Sequence, residues 1–134
     1  MSEPALTQLD FADDVISRIR DRAGPYDVRA YLFVLASLER LQGRLPERRH
    51  VNGEELAHAC RDLALEQYGL LSRTVLEHWG VRATDDIGRM VFTLIDAGLL
   101  KAQEGDRLED FRSVYAFRDA FEAGYPWGSW RDDS

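Results

Sequence analysis

TDDIGRMVFTLIDAG, residues 84–98, is the most regular stretch of the chain. Ile87, Met90, Val91, Leu94 and Ile95 fall at i, i+3, i+4, i+7 and i+8, which gathers five aliphatic side chains on one stripe of a helix. Asp85 and Asp86 in the first turn face the positive end of the helix dipole, and Thr84 is the expected N-cap. Gly98 is the expected stop, with Leu99 folding back on the last turn in a Schellman-type contact. Steps of about 100° per residue then turn Asp85, Arg89, Phe92, Thr93 and Asp96 outward.

Upstream of this helix, Leu71, Val75, Leu76 and Trp79 mark a shorter one closed by Gly80. Before that, Asn52 followed three residues later by Glu55 has the spacing of a capping box. The helix it opens is expected to bury Leu56, Cys60, Leu63 and Tyr68 and to stop at Gly69, with His50-Val51 as a short strand ahead of it. Residues 26–42 are apolar almost all round, as befits a central helix surrounded by others. A first helix is expected from Asp10, with Ala12, Val15, Ile16 and Ile19 on one face, up to Gly24-Pro25. Downstream, Leu99 to Gln103 reads as a strand and Glu104-Gly105-Asp106 as a turn. The alternation of Phe111, Ser113, Tyr115 and Phe117 reads as a returning strand, and a short helix runs through Phe121. The expected fold is mainly α (α+β): one domain over residues 1–134, with a helical core and a C-terminal β-hairpin. Residues 1–9 are expected to be frayed, 10–124 to form the core, and 125–134 to be an aromatic tail. This order of parts resembles a winged helix, in which the second helix of a helix-turn-helix reads the major groove.

Composition narrows the functions. The chain has 134 residues, 45% hydrophobic, with 17 basic and 24 acidic side chains and a net charge of −7. That charge opposes non-specific attraction to nucleic acid and anionic membranes. The outward face of the 84–98 helix sets two carboxylates and a phenylalanine around one arginine, where a base-reading helix uses Arg, Lys, Asn, Gln or Ser. Around the expected wing, Glu104, Asp106, Glu109 and Asp110 face Lys101, Arg107 and Arg112. Nucleic acid is therefore an unfavoured partner. A lone Cys60 excludes an internal disulfide, the N-terminus lacks a signal-peptide pattern, and no apolar run approaches the length of about 18 residues that spans a membrane. The expected compartment is the cytoplasm.

Catalytic constellations are sparse. Glu55-x-x-His58 puts two metal-ligand types on one helical face, but a di-iron site needs a second copy, so no metal and no cofactor are expected. Cys60 falls on the apolar face as an inert thiol. Neither Gly-x-Gly-x-x-Gly nor Gly-Lys-Ser/Thr occurs. Two candidate surfaces remain. Arg44, Arg48, Arg49 and His50 form an arginine-rich patch beside a helix N-terminus and are candidates for anion binding. Arg89 and Phe92, with Trp127 and Trp130 of the tail, are the aromatic and arginine anchors that protein interfaces favour.

A second resemblance covers residues 26–121. Tyr31-Leu32-Phe33-Val34, His50 through Leu56, Trp79-Gly80-Val81, Asp86-Ile87-Gly88, Val91-Phe92, Glu109-Asp110-Phe111 and Tyr115-Ala116-Phe117 carry it. On these residues the chain resembles a small bacterial family of uncharacterised proteins of about this length. It departs from that family's pattern at Ile87, where an aromatic is common, and at Arg89, where an acidic residue is. The resemblance implies no activity. The expected function is a non-enzymatic protein-interaction or regulatory module of winged-helix type, with a protein partner or a second copy of itself. A DNA-binding transcriptional regulator and an enzyme with a composite site near His50 are the alternatives.

Overall fold

Side-chain caps set where the main helices begin. The Asp27 carboxylate accepts the Arg29 N–H at 2.8 Å and opens α2 (Val28–Arg44). Asn52 and Glu55 make the expected reciprocal capping box, with Asn52 Oδ1 accepting the Glu55 N–H at 2.8 Å and Glu55 Oε1 accepting the Asn52 N–H at 3.0 Å. They open α3 (Gly53–Tyr68). A computed structural model describes residues 13–22, 24–101 and 107–123. Around α2 and α3 it places α1 (residues 13–20), α4 (Ser72–His78) and α5 (Thr84–Asp96), with a 3-10 turn at Gly69–Leu71, another at Leu108–Phe111 and a π-helical turn at Asp119–Ala123. None of the described helices is long and apolar enough to cross a membrane.

The core forms where α2 meets α3 and α5. Tyr31, Phe33 and Val34 of α2 and Ala57, Cys60 and Ala64 of α3 are buried in one hydrophobic cluster. Ile87, Met90, Val91 and Leu94 of α5 are buried, in agreement with the stripe read from the sequence. Phe33, Tyr68 and Trp79 pack as an aromatic cluster, their ring centroids 5.8 to 6.3 Å apart. On α1, Val15 and Ile19 turn inward, and Arg22 pairs with Asp96 at 3.0 Å, so α1 crosses the end of α5.

Helices α4 and α5 end in the same way. Val81 N–H bonds Leu76 C=O and Leu99 N–H bonds Leu94 C=O, both at 2.9 Å. Each is the long bond of a Schellman motif over a glycine at positive φ, Gly80 at 93° and Gly98 at 79°.

Three expectations need correction. The C-terminal β-hairpin is absent: no strand occurs among the described residues. Leu99 and Leu100 form a bend, Phe111 ends a 3-10 turn and Phe117 begins the last helical turn. Lys101 is in no regular element, and residues 102 and 103 of the expected first strand, with the expected turn at 104–106, lie outside the described residues. The alternation of Phe111, Tyr115 and Phe117 reports inward-facing side chains, but the backbone bonds go to side chains rather than to a neighbouring strand. The Phe111 carbonyl accepts from the Thr84 hydroxyl at 2.6 Å, and the Val114 N–H donates to the same hydroxyl at 3.1 Å. The Ser113 N–H donates to Asp85 at 3.2 Å. His50-Val51 is likewise no strand. The Gln42 side-chain amide takes the place of a partner by bonding both the N–H and the C=O of neighbouring Arg49. Lastly, Thr84 lies inside α5 rather than capping it. The N-terminus of α5 is capped from within by the Asp86 carboxylate, which accepts the N–H groups of Arg82 and Ala83.

Phe111 acts as a wedge. A Cβ at Gly53 of α3 would sit 2.9 Å from its ring, and one at Gly88 of α5 would sit 2.8 Å from it. A glycine in mid-helix costs about 1 kcal/mol relative to alanine, and Gly88 carries that cost to admit this ring. With no strand among the described residues, the expected winged-helix arrangement is not supported.

Candidate functional site

The 108–111 turn, held by its wedge, contributes to the lining of a groove of about 500 Å³. Its floor is apolar: Leu38 comes from α2, Leu56 from α3, Phe92 and Ile95 from α5, and Leu100 from the bend beyond. The segment between α2 and α3 adds Arg48, Arg49 and His50 to its lining, and Lys101 and Arg107 also line it. Asp110 is the only carboxylate-bearing residue among the described residues that line it.

Two candidate surfaces read separately from the sequence thus meet in one place. Phe92 is half-buried and packs against the core, so it forms part of the floor instead of standing out as an anchor. Arg48, Arg49 and His50 reach the same groove because Gln42 clamps the Arg49 backbone and turns the 48–52 segment back along α2. Arg44 does not join them. It lines a separate hollow of about 270 Å³ between α2 and α3, with Arg40, His58 and Asp62. Arg89 also stands elsewhere. It donates to Asp86 Oδ1 at 2.7 Å, and the Tyr26 hydroxyl donates to the same oxygen at 2.5 Å. Burial and the adjacent Asp86 carboxylate raise the Tyr26 hydroxyl pKa to about 12. Burial alone would raise the Asp86 carboxyl too, but the donors around it, Tyr26 first, hold it below its ordinary value. This cluster ties the turn before α2 to the start of α5. Trp127 and Trp130 lie outside the described residues.

The anion site expected at the N-terminus of α3 is filled by the chain itself. Glu55 takes the Asn52 N–H, and its two oxygens receive Arg49 at 2.7 and 3.2 Å. The Arg49 guanidinium, followed by the Asn52 N–H, lowers the Glu55 carboxyl pKa to about 2. With Glu55 so engaged and the His58 ring against Tyr115, their centroids 5.6 Å apart, the Glu-x-x-His pair serves structure. Cys60 is 2% exposed, and burial pushes its thiol up to about 12. The buried hydroxyls are also structural donors: Ser37 to Phe33 C=O, and Ser72 to Ala64 and Gly69 C=O.

Sequence reading assigned Lys101 and Arg107 to the expected wing and so missed them as groove residues. No local spacing joins them to Phe92 or Arg48; only the tertiary fold does. No protein-family model, curated protein or solved structure matches the chain.

Proposed function

We propose that this chain is a non-enzymatic protein-interaction module of the cytoplasm that receives a segment of a partner protein in the groove. The observation that carries the reading is the meeting of an apolar floor, Phe92 with Ile95, and a basic rim in one recess of about 500 Å³. That is room for one or two large side chains, and the volume lies within the range of roughly 300–1,000 Å³ typical of ligand pockets. Burying such side chains supplies affinity, and rim charges supply register and rate of encounter. The engagement of Cys60, Ser37, Ser72 and Glu55 in packing and hydrogen bonding supports recognition over turnover.

Selection of a random heptapeptide library displayed on phage against the full-length chain tests this. The expected peptides bind the wild-type chain and lose at least tenfold in affinity for Phe92→Ser, with the helical circular-dichroism spectrum retained. Failure to select any peptide, or equal binding by Phe92→Ser, overturns the reading. A second copy of the chain can supply the segment only if the protein self-associates, which sedimentation equilibrium reads directly.

A further inference from the structure

We infer that Lys101 and Arg107 are the charges that read the partner, and that the bound segment therefore places an Asp or Glu carboxylate beside its bulky apolar side chain. The inference rests on the groove reading above and follows from how the rim charges are already spent. Arg49 is committed to Glu55 through two bonds, and the same guanidinium also donates to the His50 carbonyl at 2.8 Å. Arg48 reaches away to Glu39 at 3.3 Å. In the same lining, Lys101 and Arg107 are exposed, and among the described residues neither forms an ion pair. The carboxylate nearest them in the lining, Asp110, accepts the backbone N–H of Arg107 at 3.2 Å and so serves the 108–111 turn. After internal pairing, the wall made by Leu100, Lys101 and Arg107 holds two positive charges next to the Phe92 floor. A carboxylate entering there gains charge-assisted hydrogen bonds from lysine and from the guanidinium fork without breaking an ion pair among the described residues. At Arg48 or Arg49 it would have to displace Glu39 or Glu55.

The same peptide selection, repeated with variants of the full-length chain, tests this separately from the groove reading. The expected peptides carry Asp or Glu within two positions of a Trp, Phe, Tyr or Leu. Their affinity falls roughly five- to tenfold for the double variant Lys101→Gln with Arg107→Gln, in keeping with two rim ion pairs, while Arg20→Gln, at an exposed arginine of α1 that does not line the groove, leaves it within roughly twofold. Raising the salt concentration narrows the gap between wild type and the double variant. Peptides that depend on Phe92 but lack acidic residues, or that bind the double variant as well as wild type, overturn the assignment of Lys101 and Arg107 and leave the groove reading standing. An empty selection removes both. Oligothymidylate bound in its place, with loss in the double variant, reassigns the two charges to nucleic-acid phosphate.

Discussion

Helix α5 and the segment from Arg107 to Phe117 pack against each other, yet they satisfy their backbones in opposite ways. Helix α5 closes its hydrogen bonds within itself and asks outside help only at its ends, where Asp86 caps one and the Gly98 motif the other. The 107–117 segment keeps little regular structure and borrows partners from α5. Thr84 serves the carbonyl of Phe111 and the N–H of Val114 with a single hydroxyl, and Asp85 serves the N–H of Ser113. An irregular segment without a partner strand must place its buried polar groups somewhere, and here two adjacent side chains at a helix start take the strand's role. The groove depends on this arrangement, because the same segment carries Arg107 and Asp110 to its wall.

Removing the wedge is the most severe way to break the pairing. Phe111→Ala is expected to cost about 3–5 kcal/mol, the range for deleting a buried aromatic ring, read from urea unfolding of the full chain. Since Phe111 is 4% exposed and fills the space left by two glycines, the loss should fall at the upper end if the helices cannot close on the void.

Gly88→Ala sharpens the comparison because helix and wedge then want different things. On an exposed helix the change would stabilise by about 1 kcal/mol. Here the new methyl would meet Phe111 at 2.8 Å, and overpacking of this kind costs about 1–3 kcal/mol. In the Phe111→Ala background the sign should reverse, and Gly88→Ala should become stabilising. A double-mutant cycle measures the coupling, and additive effects would show that ring and glycine do not contend for the same space.

Thr84→Val tests the borrowed hydrogen bonds themselves. The shapes match, so the loss comes from a buried carbonyl left without its donor and an N–H left without its acceptor, about 1–3 kcal/mol in total. Thr84→Ser should restore most of it. Amide exchange at Val114 should quicken in the valine variant while the middle of α5 stays protected. Uniform quickening would mean that the two regions unfold only together.

The same contrast explains what could be read before any coordinates. The α5 stripe, the Asn52–Glu55 box, the glycine stops and the inert Cys60 are local, each set by residues within a few positions of one another, and each is found where the sequence puts it. Inward placement of Phe111 and Phe117 was legible as well, because burial leaves an alternating mark. Their backbone partners were not, since a strand and a side-chain-satisfied turn produce the same alternation; Thr84 lies 27 residues from Phe111 and Gln42 lies 7 from Arg49. For the groove, Phe92 and the Arg48–His50 patch could each be named, but their meeting depends on α2 and α5 lying side by side. Lys101 and Arg107 were hidden by an expected wing that assigned them another place.

The smallest expected effect concerns the second segment held by side chains, residues 48–52. Glu55 has an ordinary carboxyl value of 4.5 and about 2 in the folded chain, lowered first by Arg49 and then by the Asn52 N–H. A depressed folded value means that the folded state favours the ionised carboxylate. Its contribution is complete above pH 4.5 and disappears as the pH falls through the interval down to about 2. Arg49→Gln removes the larger cause and keeps the capping box, so wild type and variant should differ in thermal midpoint near neutral pH and converge across that interval. The pair is half exposed, so salt should shrink the difference as well. A gap that persists below pH 2 would instead assign the role of Arg49 to its bond with the His50 carbonyl, which does not titrate. The 48–52 wall of the groove would then be held by side chains bonded to its backbone, Arg49 and Gln42, as the 107–117 wall is held by Thr84.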